Sequence, residues 1–107
     1  MNSLNSVLLE GNVEEGPVLS TTPKGTPVCT FRLATARFYR HDENTVKEVS
    51  YFSVEAWSKL AEYCEKNLEK AKAIRVVGHL KEDRWKAADG SPRSKIKVVA
   101  EHIEIIK

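Results

Sequence analysis

Lys47-Glu48-Val49-Ser50-Tyr51-Phe52-Ser53-Val54-Glu55-Ala56-Trp57-Ser58-Lys59-Leu60-Ala61-Glu62-Tyr63-Cys64 changes its hydrophobic period once, and that change decides the fold. Up to Trp57 the residues alternate. Phe52, Val54 and Ala56 form an apolar face, and Tyr51, Ser53, Glu55 and Trp57 form the other. A two-residue period marks a strand with one buried face. From Ser58 the step lengthens: Leu60, Ala61, Cys64, Leu68 and Ala71 recur at three- and four-residue intervals, with Glu and Lys between them. This predicts an amphipathic helix over 58–73, with Ser58 as its N-cap and the charges as its solvated face. No other segment has a convincing helical period.

The segments on either side read as β-structure. Leu4 to Val13 is apolar around Val7-Leu8-Leu9, with Gly11 marking a bulge or bend. Glu14-Glu15-Gly16-Pro17 reads as a turn and Val18-Leu19 as a short continuation. Thr22-Pro23-Lys24-Gly25-Thr26-Pro27 is a hairpin loop, since Pro presets φ and Gly supplies positive φ. Val28 to Arg37 alternates, with Cys29, Phe31 and Leu33 opposite Thr30, Arg32 and Ala34. Phe38 to Val46 is polar and mixed in charge, and reads as a mobile loop before the Lys47–Trp57 strand. Beyond the helix, Ile74 to Trp85 is a strand with Gly78 at its middle. Ala88-Asp89-Gly90-Ser91-Pro92 is a hairpin turn, and Lys95 to Ile106 is the last strand. Five strands with one helix between the third and fourth predict an all-β, five-stranded OB-fold barrel, a single domain over residues 1–107.

Composition narrows the function classes. With 41% hydrophobic and 30% charged residues the chain reads as globular rather than disordered. No apolar run approaches the ~20 residues of a membrane helix. Met1-Asn2-Ser3-Leu4-Asn5-Ser6 has no basic segment of the signal-peptide kind. Cys29 and Cys64 lack metal-type spacing and read as reduced structural thiols of a cytosolic protein. His41, His79 and His102 are scattered, so no metal or cofactor is expected. No nucleophile, base or metal set emerges, which disfavours an enzyme. A net charge of +2 argues against a heavily basic binder but leaves room for a modest basic track.

Four aromatics stand in charged company where burial is not expected: Phe38-Tyr39-Arg40, Glu48-Val49-Ser50-Tyr51, Trp57-Ser58-Lys59 and Asp83-Arg84-Trp85-Lys86. A ring flanked by cations suits single-stranded nucleic acid, because the ring stacks on a base while the cation meets a phosphate. Tyr39, Tyr51, Trp57 and Trp85 are therefore the candidate stacking platforms. Arg32, Arg37, Arg40, Lys59, Lys70, Arg84 and Lys86 are the candidate phosphate track, with Lys59 and Arg84 foremost for their nearness to a tryptophan. Tyr63, Phe31 and Phe52 read as core or interface.

Four pieces, in order, resemble the bacterial single-stranded DNA-binding protein (SSB) family. They are Leu8-Leu9-Glu10-Gly11-Asn12, Gly25 through Thr35, Trp57-Ser58-Lys59-Leu60-Ala61-Glu62, and Val76-Val77-Gly78-His79-Leu80 followed by Arg84-Trp85. The resemblance covers nearly the whole chain. It implies a cytoplasmic, nucleoid-associated homotetramer that binds single-stranded DNA with little sequence preference in replication, recombination and repair, with replication and repair proteins as further partners. It places the family's stacking positions at Tyr39, Tyr51, Trp57 and Trp85, two of them Tyr where well-known members have Trp. Phe52 stands where a His supports assembly in some members. Leu4 to Leu9, Phe52 and Val76 become candidate subunit contacts. The family's flexible linker and acidic, Phe-ended tip do not follow Ile105-Ile106-Lys107 in this sequence, so recruitment through such a tail is not expected of these residues. Two alternatives stay open: a short dimeric primosomal OB protein of replication restart, and an OB-fold protein-interaction module.

Overall fold

The structure, a computed structural model, describes residues 2–106; Met1 and Lys107, named above at the chain's two ends, lie outside them. Its elements are β1 (Val7–Thr21), β2 (Pro27–His41), β3 (Asn44–Trp57), α1 (Lys59–Asn67), β4 (Ala73–Lys86) and β5 (Pro92–Ile105). The strands close into a barrel in the order β1-β2-β3-β5-β4. All pairs are antiparallel except β3–β5. This is the five-stranded OB-fold that the hydrophobic pattern predicts, with its helix between the third and fourth strands.

Alternation fills the barrel. Cys29, Phe31 and Leu33 point inward from β2, Val54 and Ala56 from β3, Ile74 and Val76 from β4, and Val98, Ala100 and Ile103 from β5. Val13 of β1 joins them, and Ala61, Cys64 and Leu68 close one end. Burying each larger side chain contributes roughly 1.5–3 kcal/mol. Val76 is fully buried, so it is core and not the subunit contact expected of it, whereas Leu4, Leu8 and Phe52 remain exposed. Cys29 and Cys64 are free and buried in the same core cluster. Burial pushes both thiols up, Cys64 to about 12.

Strand β1 serves two neighbours. Val7 to Asn12 pairs with β4 and Asn12 to Thr21 with β2. The expected turn at Glu14–Pro17 is instead a bulged length of one continuous strand, with register shifts between Val13 and Glu15 and between Glu15 and Val18. Bulges let a strand bend round a closed barrel without ending. Gly11 itself is not the bulge. It pairs in register with Ile74, and a Cβ there would collide with the Ala34 carbonyl oxygen.

Two further expectations change. Phe38 to Val46 is not a loop: β2 and β3 stay paired out to His41 and Asn44, joined by a two-residue turn in which Asp42 and Glu43 both have positive φ. The ribbon projects from the barrel with both faces in solvent. Its apolar alternation is lost even though its hydrogen bonds continue. The helix stops at Asn67 rather than Ala73. Here the backbone is drawn to β1 instead, where Ala71 N–H donates to the Val13 carbonyl at 2.7 Å and Val13 N–H donates to that of Lys72 at 2.9 Å.

Ser58 makes no side-chain cap and sits at φ 58°, ψ −126°, a region favourable only to glycine. Its N–H donates to the Pro27 carbonyl at 2.9 Å, which ties the strand-to-helix corner back to β2. Ser58→Gly is therefore expected to stabilise the fold by about 1 kcal/mol by relieving that strain. Thermal unfolding checks it, and a lowered melting temperature would show that the serine side chain contributes more than its strain costs.

Candidate nucleic-acid interface

Residues adjacent in a strand point to opposite faces, and directly paired residues share one. On β3 the residues alternating with the core are Tyr51, Ser53, Glu55 and Trp57, paired with Ala34, Arg32, Thr30 and Val28 of β2. The parallel pairing of Glu55 with Val99 carries this outer face onto β5, where Lys97, Lys95 and Arg93 continue it. Across β5 stand Lys81, Asp83 and Trp85 of β4. Tyr51, Trp57 and Trp85 thus share one curved surface of the β2-β3-β5-β4 sheet, and Tyr51 and Trp85 are half exposed, at 49% and 50%.

Each ring has a polar neighbour. The Arg32 guanidinium lies 4.5 Å from the centre of Tyr51, with the Glu14 carboxylate 3.8 Å away. One side of Tyr51 is therefore already covered by a cation. The Trp57 indole N–H donates to Glu55 Oε1 at 2.6 Å. Lys97 Nζ donates to Glu55 Oε2 at 2.7 Å and lies 2.8 Å from Asp83 Oδ2. The bond from Lys97 holds the Asp83 carboxyl below its usual range. Burial alone would lower the Lys97 ammonium, but its bonds to Asp83 and Glu55 outweigh that and hold it above the usual lysine value. Beside this triad an open groove of about 540 Å³ runs between Arg32, Ser53, Glu55, Lys95 and Lys97.

The structure brings Arg32, Arg40, Tyr51, Trp57 and Trp85 onto the outer face by register. Tyr39 lies on the other face of the β2–β3 ribbon with Arg37, whose guanidinium is 5.5 Å from its ring. Arg84 and Lys86 alternate with Trp85, and Arg84 is held by Glu82 at 2.7 Å. All three line a second groove, about 650 Å³, at the β4–β5 tip. Lys59 opens α1 just past Trp57. Lys70 stands apart, in the turn between α1 and β4.

Sequence reasoning missed several residues of this surface, Lys95 of the first groove among them. Phe38, 64% exposed, shares the face of Tyr51 and has Lys47 directly across the ribbon, 5.9 Å from its ring. Arg93 pairs across the ribbon with Trp85 and lines the same groove. Counting outward from a two-residue Asp89-Gly90 turn would have set Trp85 opposite Ser94; the loop has three residues, Ala88 to Gly90, closed by the Ala87 N–H donating to the Ser91 carbonyl, and that moves Arg93 into the place. Glu55 and Lys97 carried no signal, since a charged residue in an alternating strand reads as solvated. Among the described residues no group of three or more His, Cys, Asp or Glu could hold a metal ion, and no helix is long and apolar enough to cross a membrane.

Comparison with known proteins places this surface in context. Single-stranded DNA-binding protein 2 of Chlorobaculum tepidum is 40% identical to this chain, over 99% of it and 73% of the relative. The single-stranded DNA-binding protein of Aquifex aeolicus is 34% identical, over 96% of this chain and 70% of the relative. Among solved structures, a Plasmodium falciparum SSB complex with ssDNA shares the fold at a TM-score of 0.89, with 22% identity over 100% of this chain and 98% of that one. A deletion mutant of the single-stranded DNA binding protein from Thermus aquaticus superposes at 0.86, with 27% identity over 97% of this chain and 51% of that one. The single-strand binding protein family model matches residues 4–106, and with relatives of this identity and coverage the chain belongs to that family.

Proposed function

We propose that the outer face of the β2-β3-β5-β4 sheet binds single-stranded DNA with little sequence preference, protecting it during replication, recombination and repair. The observation that carries the reading is the set of exposed rings, Tyr51, Trp57 and Trp85, on one cation-lined face. Each stacked base contributes on the order of 1–3 kcal/mol, and because every base has a π-face little sequence is read. Arg32, Arg40, Lys95 and Arg93 offer phosphate contacts along the face. A strand turning round the β2–β3 ribbon meets Tyr39 and Arg37 on its far side, and Lys59, Arg84 and Lys86 flank the two tryptophans. Lys70 is the weakest member of the track, because it lies on no strand of the surface.

The role is binding, not catalysis, by a single OB domain of residues 1–107, cytoplasmic and nucleoid-associated. Assembly as a homotetramer fits the exposed Leu4, Leu8 and Phe52, and it raises avidity by presenting several sites to one strand. Replication and repair proteins are the further partners proposed. Titration with a dT oligonucleotide, read by tryptophan quenching alongside native mass, tests the whole reading. Quenching and a tetrameric mass support it. A dimer would favour the primosomal alternative, and negligible oligonucleotide binding the protein-interaction one.

Salt dependence separates the cations. Each single-strand phosphate neutralised contributes about −0.7 to the slope of log K against log salt. Arg93→Ala is expected to flatten the slope by about that amount. Arg84→Ala should change it less, because Glu82 already neutralises that guanidinium. An unchanged slope in Arg93→Ala removes Arg93 from the track.

A further inference from the structure

Glu55 is an odd residue for this face. It is the one buried charged residue of the barrel wall among the described residues, 9% exposed, and it puts a carboxylate where a polyanion is proposed to pass. Burying an ionised carboxyl is costly unless its oxygens are bonded. Both are, and by different partners: the Trp57 indole N–H on Oε1 at 2.6 Å and Lys97 on Oε2 at 2.7 Å. Lys97 also binds Asp83 at 2.8 Å, so one ammonium ties β3 to the β4–β5 ribbon.

We infer that Glu55 is a positioning residue for DNA binding: its carboxylate fixes the Trp57 indole in the plane that a base stacks on, and Lys97 with Asp83 fixes the carboxylate. This rests on the reading that Trp57 stacks. A tryptophan at a strand end, 39% exposed, has rotamers to lose when a base arrives. A short, charge-assisted bond made beforehand removes much of that ordering cost. The triad also has a charge consequence. Two carboxylates share one ammonium, so Lys97 is not a free phosphate ligand. The phosphate contacts are left to the other cations of the face, Arg32, Lys95 and Arg93, and the bases to the rings.

A double-mutant cycle tests this, with Kd read from the anisotropy of an end-labelled dT oligonucleotide. Glu55→Ala leaves Lys97 paired with Asp83, so no buried cation is stranded. In the Trp57 protein it is expected to raise Kd about fivefold; in a Trp57→Phe background, which keeps a stacking ring but has no N–H, it should change Kd by less than about twofold. Equal losses in both backgrounds would make Glu55 merely structural and overturn the inference. A readout on the unsubstituted protein holds even if Glu55→Ala unfolds. The Trp57 indole proton should resonate downfield of the Trp85 one and exchange more slowly with solvent, and identical behaviour of the two protons also overturns it. Trp57→Ala keeps the two levels distinct. If it leaves Kd unchanged, the stacking reading fails with the inference; if it weakens binding while the cycle is additive, only the inference fails.

Discussion

Trp57→Ala combined with Trp85→Ala is expected to weaken dT binding by about 2–6 kcal/mol, since each lost stack removes on the order of 1–3 kcal/mol. The two rings lie on different ribbons and make no bond to each other, so their losses should add within a few tenths of a kcal/mol. Folding should survive. Both side chains are well exposed, and the core is made of other residues. The measurement is a titration with labelled oligonucleotide, because both fluorescent reporters are gone from the variant. Unchanged affinity would sink the stacking model; a loss confined to Trp57→Ala would restrict it to the barrel and exclude the β4–β5 ribbon.

The second large effect is on stability. Gly78→Ala is expected to cost about 3 kcal/mol or more. A Cβ at Gly78 would collide with the Val99 carbonyl oxygen and stand 3.2 Å from the Ala100 Cα. Both are backbone atoms of β5, and neither can turn aside as a side chain would. The register between β4 and β5 shifts at this point, so the close approach belongs to the turn of the barrel wall. Urea unfolding checks it. An unfolding free energy within about 1 kcal/mol of the parent would show that the two strands part more easily than their pairing suggests.

How much of this was legible in the sequence depends on where each segment meets the core. Cys29, Phe31, Leu33, Val54 and Ala56 alternate because one side of their strands is sealed, and the barrel follows from them. The β2–β3 tip resembles a loop in sequence because Phe38 to Val46 has solvent on both sides, and the Asp42-Glu43 turn lacks the usual glycine. Ser58 has the residue type of a cap, but a tertiary bond to Pro27 sets its backbone instead. The four chosen aromatics do stand exposed. What the sequence could not display is the pairing that sorts them: Tyr51, Trp57 and Trp85 on one face, Tyr39 across the ribbon, and Arg93 opposite Trp85. Glu55 shares its strand face with Trp57 in the sequence, but its other partner, Lys97, arrives only when β5 lies beside β3.

The two sealed sulfurs have a practical consequence. Thiolates, not thiols, attack maleimides, and at neutral pH Cys29 and Cys64 are both walled off and held protonated, Cys64 with its pKa near 12. A cysteine introduced at exposed Thr45, near the tip of the β2–β3 ribbon, would then be the one position to take up a dye without first deleting either native cysteine. The folded barrel is in this sense already prepared for site-specific labelling, and a fluorophore on that arm would test in real time, one molecule at a time, whether a strand wraps it as proposed and when it lets go.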